Sequence, residues 1–253
     1  MILAVDPIEQ FQIHTLFPIV KIGNTEIAFT NSAAFMLAAV LALTVFLVGA
    51  TAGGRLVPTR LQSAAEIAYE FVAATVRSTA GSEGMRFFPF VFTIFMFILT
   101  LNFIGLVPFT FTVTSHIIVT AALALTVFFT VLIYGLLRHG LHFFNLFVPK
   151  GVPIYILPLI VFIEILSFVS RPISHSVRLF ANMLAGHITL QVFASFIILL
   201  GTGLGVVGWI GGALPFLMIV ILFALDALVA FLQAYVFAIL TCIYLNDAIH
   251  PGH

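Results

Sequence analysis

Charged side chains are scarce in this chain of 253 residues. Asp, Glu, Lys and Arg together make up 7% of it, hydrophobic residues make up 62%, and the mean hydropathy is +1.27. A water-soluble globule of this size needs more charge than that to cover its surface. The composition therefore excludes an ordinary soluble domain and predicts an α-helical protein solvated by lipid. Basic and acidic residues balance at 9 each, so net charge does not favour nucleic acid as a partner.

Other familiar signals are also missing. The only cysteine, Cys242, lies in an apolar run, so no internal disulfide can form and a buried structural role is expected. No glycine-rich phosphate-binding loop is present, so we expect neither ATP chemistry nor a cofactor in this chain. Asp6 and Glu9 stand where a signal peptide would carry basic residues, so no cleavable signal is expected.

Long uncharged stretches are abundant, and a spanning helix needs only about 20 apolar residues. Residues 27–54 predict a first transmembrane helix. Residues 87–137 predict a transmembrane hairpin, because Pro108 and the polar residues up to His116 interrupt the apolar run. Two longer stretches, 152–200 and 207–247, predict tilted or broken helices that exceed the bilayer thickness. Their candidate kinks are Pro153, Pro158, Pro172 and Pro215.

The segment 58–80 differs from these spans because its apolar residues recur at helical spacing between charged ones. This pattern predicts an amphipathic helix lying on the membrane surface. The whole chain, 1–253, is thus predicted to be one all-α, polytopic membrane domain. Basic residues flank the predicted spans on a single side, which places the N-terminus outside and the C-terminus in the cytoplasm. These residues are Arg55, Arg60, Arg86, Arg138 and Lys150.

Ionisable residues inside the last two helices are the candidates for function, because a charge at the bilayer centre costs at least about 2.5 kcal/mol. They are Glu164, Arg171, His175, Arg178, His187 and Asp226. For Arg178 the functional interpretation is favoured, since apolar sequence surrounds it. For Glu164 and Arg171 a structural role near an interface is an equal alternative.

Helical spacing groups these residues into faces. Glu164, Arg171, His175, Arg178 and Asn182 share one face, while His187 and Gln191 point to the opposite one. Asp226 and Gln233 share a face of the last helix.

The chemistry of these side chains differs. Arginine stays protonated and cannot relay a proton, but it favours the ionised form of a nearby carboxylate. Histidine and carboxylates can exchange protons. The pattern therefore predicts two proton paths separated by one permanent positive charge.

Two segments carry a family resemblance. Arg178–His187, preceded by Arg171–Ser174, closely resembles the signature of subunit a of F-type ATP synthases, and Leu101–Pro108 resembles the second recurrent motif of that family. The exchange of acid and base at His187 and Asp226 is similar to α-proteobacterial and mitochondrial members, because many bacterial members carry glutamate and histidine there. The resemblance implies a non-catalytic, proton-translocating stator subunit whose two long C-terminal helices face a ring of c subunits.

The resemblance also implies individual roles. Arg178 would be the essential charge barrier facing the c ring, with Asn182 and Gln233 beside it. His187 and Asp226 would form the polar pair on the proton-rich side, and Asn102 would lie near that path. Glu164 would be an acid of the other path. Ser174 and His175 complete the predicted proton pathway.

The resemblance further implies a setting. The expected partners are the c ring, b-type peripheral stalk subunits, the remainder of the complex and the lipid bilayer. The expected location is a bacterial inner membrane, with the mitochondrial inner membrane as the alternative. Whether the ion is H⁺ or Na⁺ stays open.

Two other functions compete with this interpretation. A stand-alone ion channel or transporter would not co-purify with a c ring, and the chain shows no internal repeat in its favour. A haem-binding electron carrier would need histidines facing each other from different helices. Because His175 and His187 lie on one helix, haem binding is less favoured.

Overall fold

The computed structural model describes residues 12–22, 25–53, 58–107, 110–148 and 155–250. Within these ranges, five helical stretches are long and apolar enough to cross a membrane. The predicted fold class, an all-α polytopic membrane protein, is confirmed. Apolar side chains cover much of the helix surfaces, as expected for a chain that exchanges water for lipid.

Long helices make up most of the described chain. The elements are β1 Thr15–Ile22, β2 Thr25–Thr30, α1 Asn31–Thr51, α2 Arg60–Gly84, α3 Phe88–Leu106, α4 Ile117–His139, α5 Leu157–Gly211 and α6 Ala213–Ile249. Short 3-10 turns lie at Met85–Phe87, Val113–Ser115 and Gly140–Phe147. The polar residues that divide the predicted hairpin thus form the connection between α3 and α4.

The antiparallel pair β1 and β2 was not predicted from the sequence. Thr15 lies opposite Thr30, and Lys21 lies opposite Glu26. Both strands are rich in β-branched and aromatic residues, which suit a pleated backbone. Because β2 occupies residues up to Thr30, α1 begins at Asn31 instead of at residue 27.

Glycine, more than proline, interrupts the long helices. Pro158 and Pro215 lie in the first turns of α5 and α6, where a missing backbone N–H breaks no helical hydrogen bond. The kinks expected at these two prolines were therefore predicted wrongly. Pro172 lies within α5, which continues through it. Gly205 has φ +57°, a left-handed conformation that only glycine adopts readily, and α5 extends past it to Gly211. Pro153 lies outside the described residues.

The amphipathic segment forms α2, which runs from Arg60 to Gly84 with a break at Gly81, where φ is +67°. Its first turn is capped by the Thr59 hydroxyl, which accepts a hydrogen bond from the backbone N–H of Gln62 at 3.3 Å. Its buried residues include Val72 and Val76, which belong to the predicted apolar face.

The described helices divide into two compact units. Unit 1 comprises Met1–Leu43, Phe97–His116 and Leu179–Gln233, and unit 2 comprises Thr44–Met96, Ile117–Arg178 and Ala234–His253. Four of the helices contribute to both units. In α5 the division falls directly after Arg178, and in α6 it falls directly after Gln233.

Aromatic residues form the core of unit 2. Phe143 is fully buried, and its ring lies 6.4 Å from that of Phe168. The same Phe143 ring packs directly on the backbone of Gly135 in α4. Glycine at position 135 is therefore needed for the close approach of the Phe143 ring.

An ion pair also joins two helices of unit 2. Arg138, near the end of α4, pairs with Glu83 of α2 at 2.6 Å.

The packing of Phe143 on Gly135 yields a prediction about stability. The methyl group introduced by Gly135→Ala would overlap the Phe143 ring, so we expect destabilisation by about 1–3 kcal/mol despite the better helix propensity of alanine. The measurement is the thermal aggregation midpoint of detergent-purified protein. Gly49→Ala in α1 is the matched control, because nothing lies within 4 Å of the added methyl group. Equal midpoints for the two variants would contradict the packing described.

Candidate functional site

The predicted site residues divide between the two units. Unit 1 contains Asn102, Asn182, His187, Asp226 and Gln233, and unit 2 contains Glu164, Ser174, His175 and Arg178. Each unit therefore holds polar side chains that the sequence assigned to a proton path.

In unit 1, Asp226 of α6 lies against the backbone of α5. A methyl carbon placed on Gly186 would be 2.6 and 2.7 Å from the two carboxylate oxygens of Asp226. Real Cβ atoms essentially never lie this close to another atom, so a side chain at position 186 would force the carboxylate to move. Gly186 directly precedes His187 in the chain. The Asp226 carboxylate therefore contacts α5 at the position next to the histidine of the predicted pair.

Thr112, in the connection between α3 and α4, joins this group. Its hydroxyl lies 3.3 Å from Nε2 of His187, within hydrogen-bonding distance. Thr112 also lies against Gly105 near the end of α3, where an added methyl carbon would come within 3.0 Å of the threonine methyl group. The connection is thereby held close to α5.

Asn102 of α3 adds a polar contact to α6. It is fully buried, and its side-chain Nδ2 donates a hydrogen bond to the backbone carbonyl of Ala230 at 3.1 Å. Ala230 follows Asp226 by one helical turn of α6. Three helices and one connection thus contribute polar groups to the interior of unit 1.

Several polar atoms of unit 1 are buried without a hydrogen-bond partner in the part of the chain that the structure describes. They are Asn102 Oδ1, Thr114 Oγ1, His116 Nε2 and Gln191 Oε1. Buried polar atoms are normally satisfied by protein or by ordered water. The sequence analysis did not include Thr112, Thr114 or His116 among the site residues. The signal was the polar run itself, which was interpreted only as a break between helices.

Unit 2 contains the charged part of the predicted pathway. Arg178 and Ser174, one helical turn apart on α5, are both exposed, as are their apolar neighbours Ile173 and Val177. An exposed arginine on an apolar helix face is costly in lipid. At such a position in a membrane, a guanidinium needs polar or anionic surroundings.

His175 lies one turn before Arg178 on the same helix but differs from it in burial. Its side chain is buried, with the ring 3.9 Å from that of Phe237 and 6.0 Å from that of Tyr244. Glu164, earlier in α5, is only partly buried. The structure thus places His175 among aromatic rings of α6 and away from the exposed face.

Arg171 has a structural partner. Its Nη1 donates a 2.7 Å hydrogen bond to Oδ2 of Asp247 in α6, and its guanidinium lies 4.9 Å from the ring centre of Tyr244. This ion pair joins α5 to α6 inside unit 2. The structural alternative left open for Arg171 is therefore the one that the geometry supports.

A model of the family described as "ATP synthase A chain" matches residues 32–246. The chain belongs to the ATP synthase subunit a family. The predicted resemblance is confirmed, and with it a multi-pass membrane protein of the F-type ATP synthase that takes part in proton transport.

Individual relatives cover nearly the full length. ATP synthase subunit a of Bradyrhizobium diazoefficiens is 66% identical over 251 residues, which are 99% of this chain and 100% of the relative. The subunit of Rhodopseudomonas palustris strain BisB18 is also 66% identical, over 98% of this chain and 100% of its own. That of Nitrobacter hamburgensis is 67% identical, over 98% and 99%. These relatives are α-proteobacterial, as the exchange at His187 and Asp226 predicts.

The close approach at Gly186 yields a prediction about activity. Gly186→Ala would displace the Asp226 carboxylate, and since a misplacement of about 1 Å can be costly, we expect ATP-driven proton pumping to fall by about tenfold or more. The measurement is dye quenching in inverted membrane vesicles, corrected for the amount of assembled complex. Gly203→Ala, on the same helix with no atom within 4 Å, should pump normally. Normal pumping by both variants would refute the role of this contact.

Proposed function

We propose that this subunit supplies two proton half-channels to a ring of c subunits and that Arg178 separates them. The observation that supports this proposal is that Arg178, the last residue of the α5 segment in unit 2, is exposed beside apolar neighbours on its helix. The predicted proton-exchanging residues are distributed over both units, so each unit can support one path.

Unit 1 is the proposed uptake path, on the proton-rich side. His187 and Asp226 are groups that gain and lose protons, and Gly186 brings the carboxylate against the helix that carries the imidazole. Thr112 can orient the imidazole through its 3.3 Å contact, and Asn102 offers a polar lining from α3. A proton arriving here would be passed to a carboxylate of the c ring.

Unit 2 contains the proposed release path. Glu164 is the partly buried acid, and Ser174 follows it on α5 toward Arg178. The Arg171–Asp247 ion pair would hold α5 against α6 beside this path. We place the release path on the cytoplasmic side, with the N-terminus of the chain outside, because basic residues flank the spans on that side.

Arg178 acts in this scheme through its permanent charge. A fixed cation lowers the affinity of a nearby ring carboxylate for its proton, so a carboxylate passing Arg178 would be ionised and would have released its proton. The same charge repels a proton that would otherwise hop from one path to the other. Asn182 and Gln233 are proposed members of the proton pathway, as the family resemblance implies. Lysine could not replace Arg178 fully, because it lacks the planar, always-charged guanidinium.

The remaining partners follow from membership of the complex. We propose contacts with b-type peripheral stalk subunits and the c ring in a bacterial inner membrane. Protons are the proposed ion. The exposed apolar faces of α5 and α6 are where the ring would pack, and they include Ile173 and Val177 next to Arg178.

The two-path arrangement can be tested by accessibility from each side of the membrane. In a Cys242→Ala background, Gln191→Cys should react with an impermeant thiol reagent in spheroplasts, and Glu164→Cys should react in inverted vesicles. Each should be unreactive from the opposite side. Leu179→Cys, at a buried apolar position, is the control that should react from neither. Reaction of both test cysteines from the same side would disprove the proposal.

A further inference from the structure

The connection between α3 and α4 contains a buried imidazole that the proposed mechanism does not use. His116 follows the turn Val113–Ser115, and its ring stacks on Phe111 with centroids 4.9 Å apart. Its Nε2 is buried and has no hydrogen-bond partner within the described ranges. If this histidine served only for packing, replacing it with an apolar ring would stabilise the protein, since an unpaired buried nitrogen costs free energy.

Hydrogen bonds of the turn connect the His116 backbone to the rest of unit 1. The backbone N–H of His116 donates to the carbonyl of Val113 at 3.2 Å, and the Ser115 hydroxyl donates to the carbonyl of Thr112 at 2.6 Å. Thr112 in turn lies 3.3 Å from Nε2 of His187. One tight turn therefore separates His116 from the residue that contacts His187.

The unpartnered polar atoms belong to the same region. Thr114 lies in that turn with its hydroxyl buried, and Gln191 lies one helical turn after His187 on α5. Asn102 reaches the cluster through Ala230, one turn from Asp226. Such atoms, in a protein that is otherwise apolar, are where ordered waters bind, and each water needs several polar partners.

Within the described residues, α1 and α3 bring no other ionisable group to this connection. In the described sequence of α1, which contacts this connection through Phe35 and Phe111, and in α3, every residue is uncharged and non-titratable. The titratable groups in the cluster are therefore His116 itself, His187 and Asp226. A proton reaching His187 from the connection would have one exchanging side chain available on the way.

We propose that His116 is a proton-exchanging member of the uptake path, placed before His187, and that water bound at Thr114 and Gln191 links the two imidazoles. In each transfer, one nitrogen of the His116 imidazole accepts a proton and releases it to the water chain, so the ring returns to its starting state. This inference rests on the proposed function of unit 1 as the uptake path.

The test compares two substitutions of similar size. Gln keeps hydrogen bonding but cannot exchange a proton, whereas Glu can. Passive proton flux is measured in vesicles stripped of the catalytic sector, per assembled complex. We expect His116→Gln to lose about tenfold in flux and His116→Glu to retain most of it. A purely structural role predicts the reverse order, because a buried neutral amide is tolerated better than an acid. Equal or higher flux in His116→Gln would overturn the inference.

A companion variant separates this inference from the function on which it rests. Asp226→Asn should abolish flux if unit 1 is the uptake path at all. Normal flux in Asp226→Asn would refute the uptake path, whereas lost flux there with normal flux in His116→Gln would refute only the role of His116.

A second measurement covers the case in which position 116 tolerates neither substitution. Silver ions travel through water-filled paths and bind thiols, so His116→Cys in a Cys242→Ala background should become sensitive to silver. Val113→Cys, buried in the same turn, should not. Insensitivity of His116→Cys would show that no water path reaches position 116 and would overturn the inference.

Discussion

In the proposed mechanism, the permanent charge of Arg178 in an apolar environment is the constraint on which the other roles depend. An arginine cannot discard its proton to avoid the cost of low dielectric, so the surroundings must supply compensating polar or anionic groups. On this chain Arg178 is exposed, with Ile173 and Val177 beside it. Arg171 is the contrasting case on the same helix, because Asp247 neutralises it at 2.7 Å within the chain. Arg171 thus joins two helices, and in the proposed mechanism Arg178 meets a carboxylate of the c ring.

Close backbone approach is the second device in the structure. Gly186 lets the Asp226 carboxylate lie on α5 beside His187, and Gly135 lets the Phe143 ring lie on α4. Both contacts bring a large or charged group nearer to a helix axis than any side chain would permit. The polar interior of unit 1 therefore depends on a residue that has no side chain, and a list of ionisable residues alone would not reveal it.

Much of this could be predicted from the sequence, for physical reasons that differ between elements. Long uncharged runs and the cost of buried charge pointed to the spans and to Arg178, because lipid leaves few alternatives. The β1–β2 pair escaped prediction because its apolar residues merged with the run that begins α1. Gly205, where α5 has positive φ, lies between the predicted stretches 152–200 and 207–247, whereas Pro158 and Pro215, which were expected to kink the helices, lie in their first turns. His116 was overlooked because only the fold brings Thr112, four residues before it, within 3.3 Å of His187.

The proposed mechanism requires Arg178 to be a barrier between two proton paths. The decisive measurement is the decay of an imposed pH gradient in vesicles that contain the c ring and an Arg178→Ala subunit but lack the catalytic sector. With both components confirmed present, we expect a passive proton leak greater than in vesicles without the subunit, together with loss of ATP synthesis in the complete enzyme. A leak no greater than that of subunit-free vesicles would contradict the barrier role.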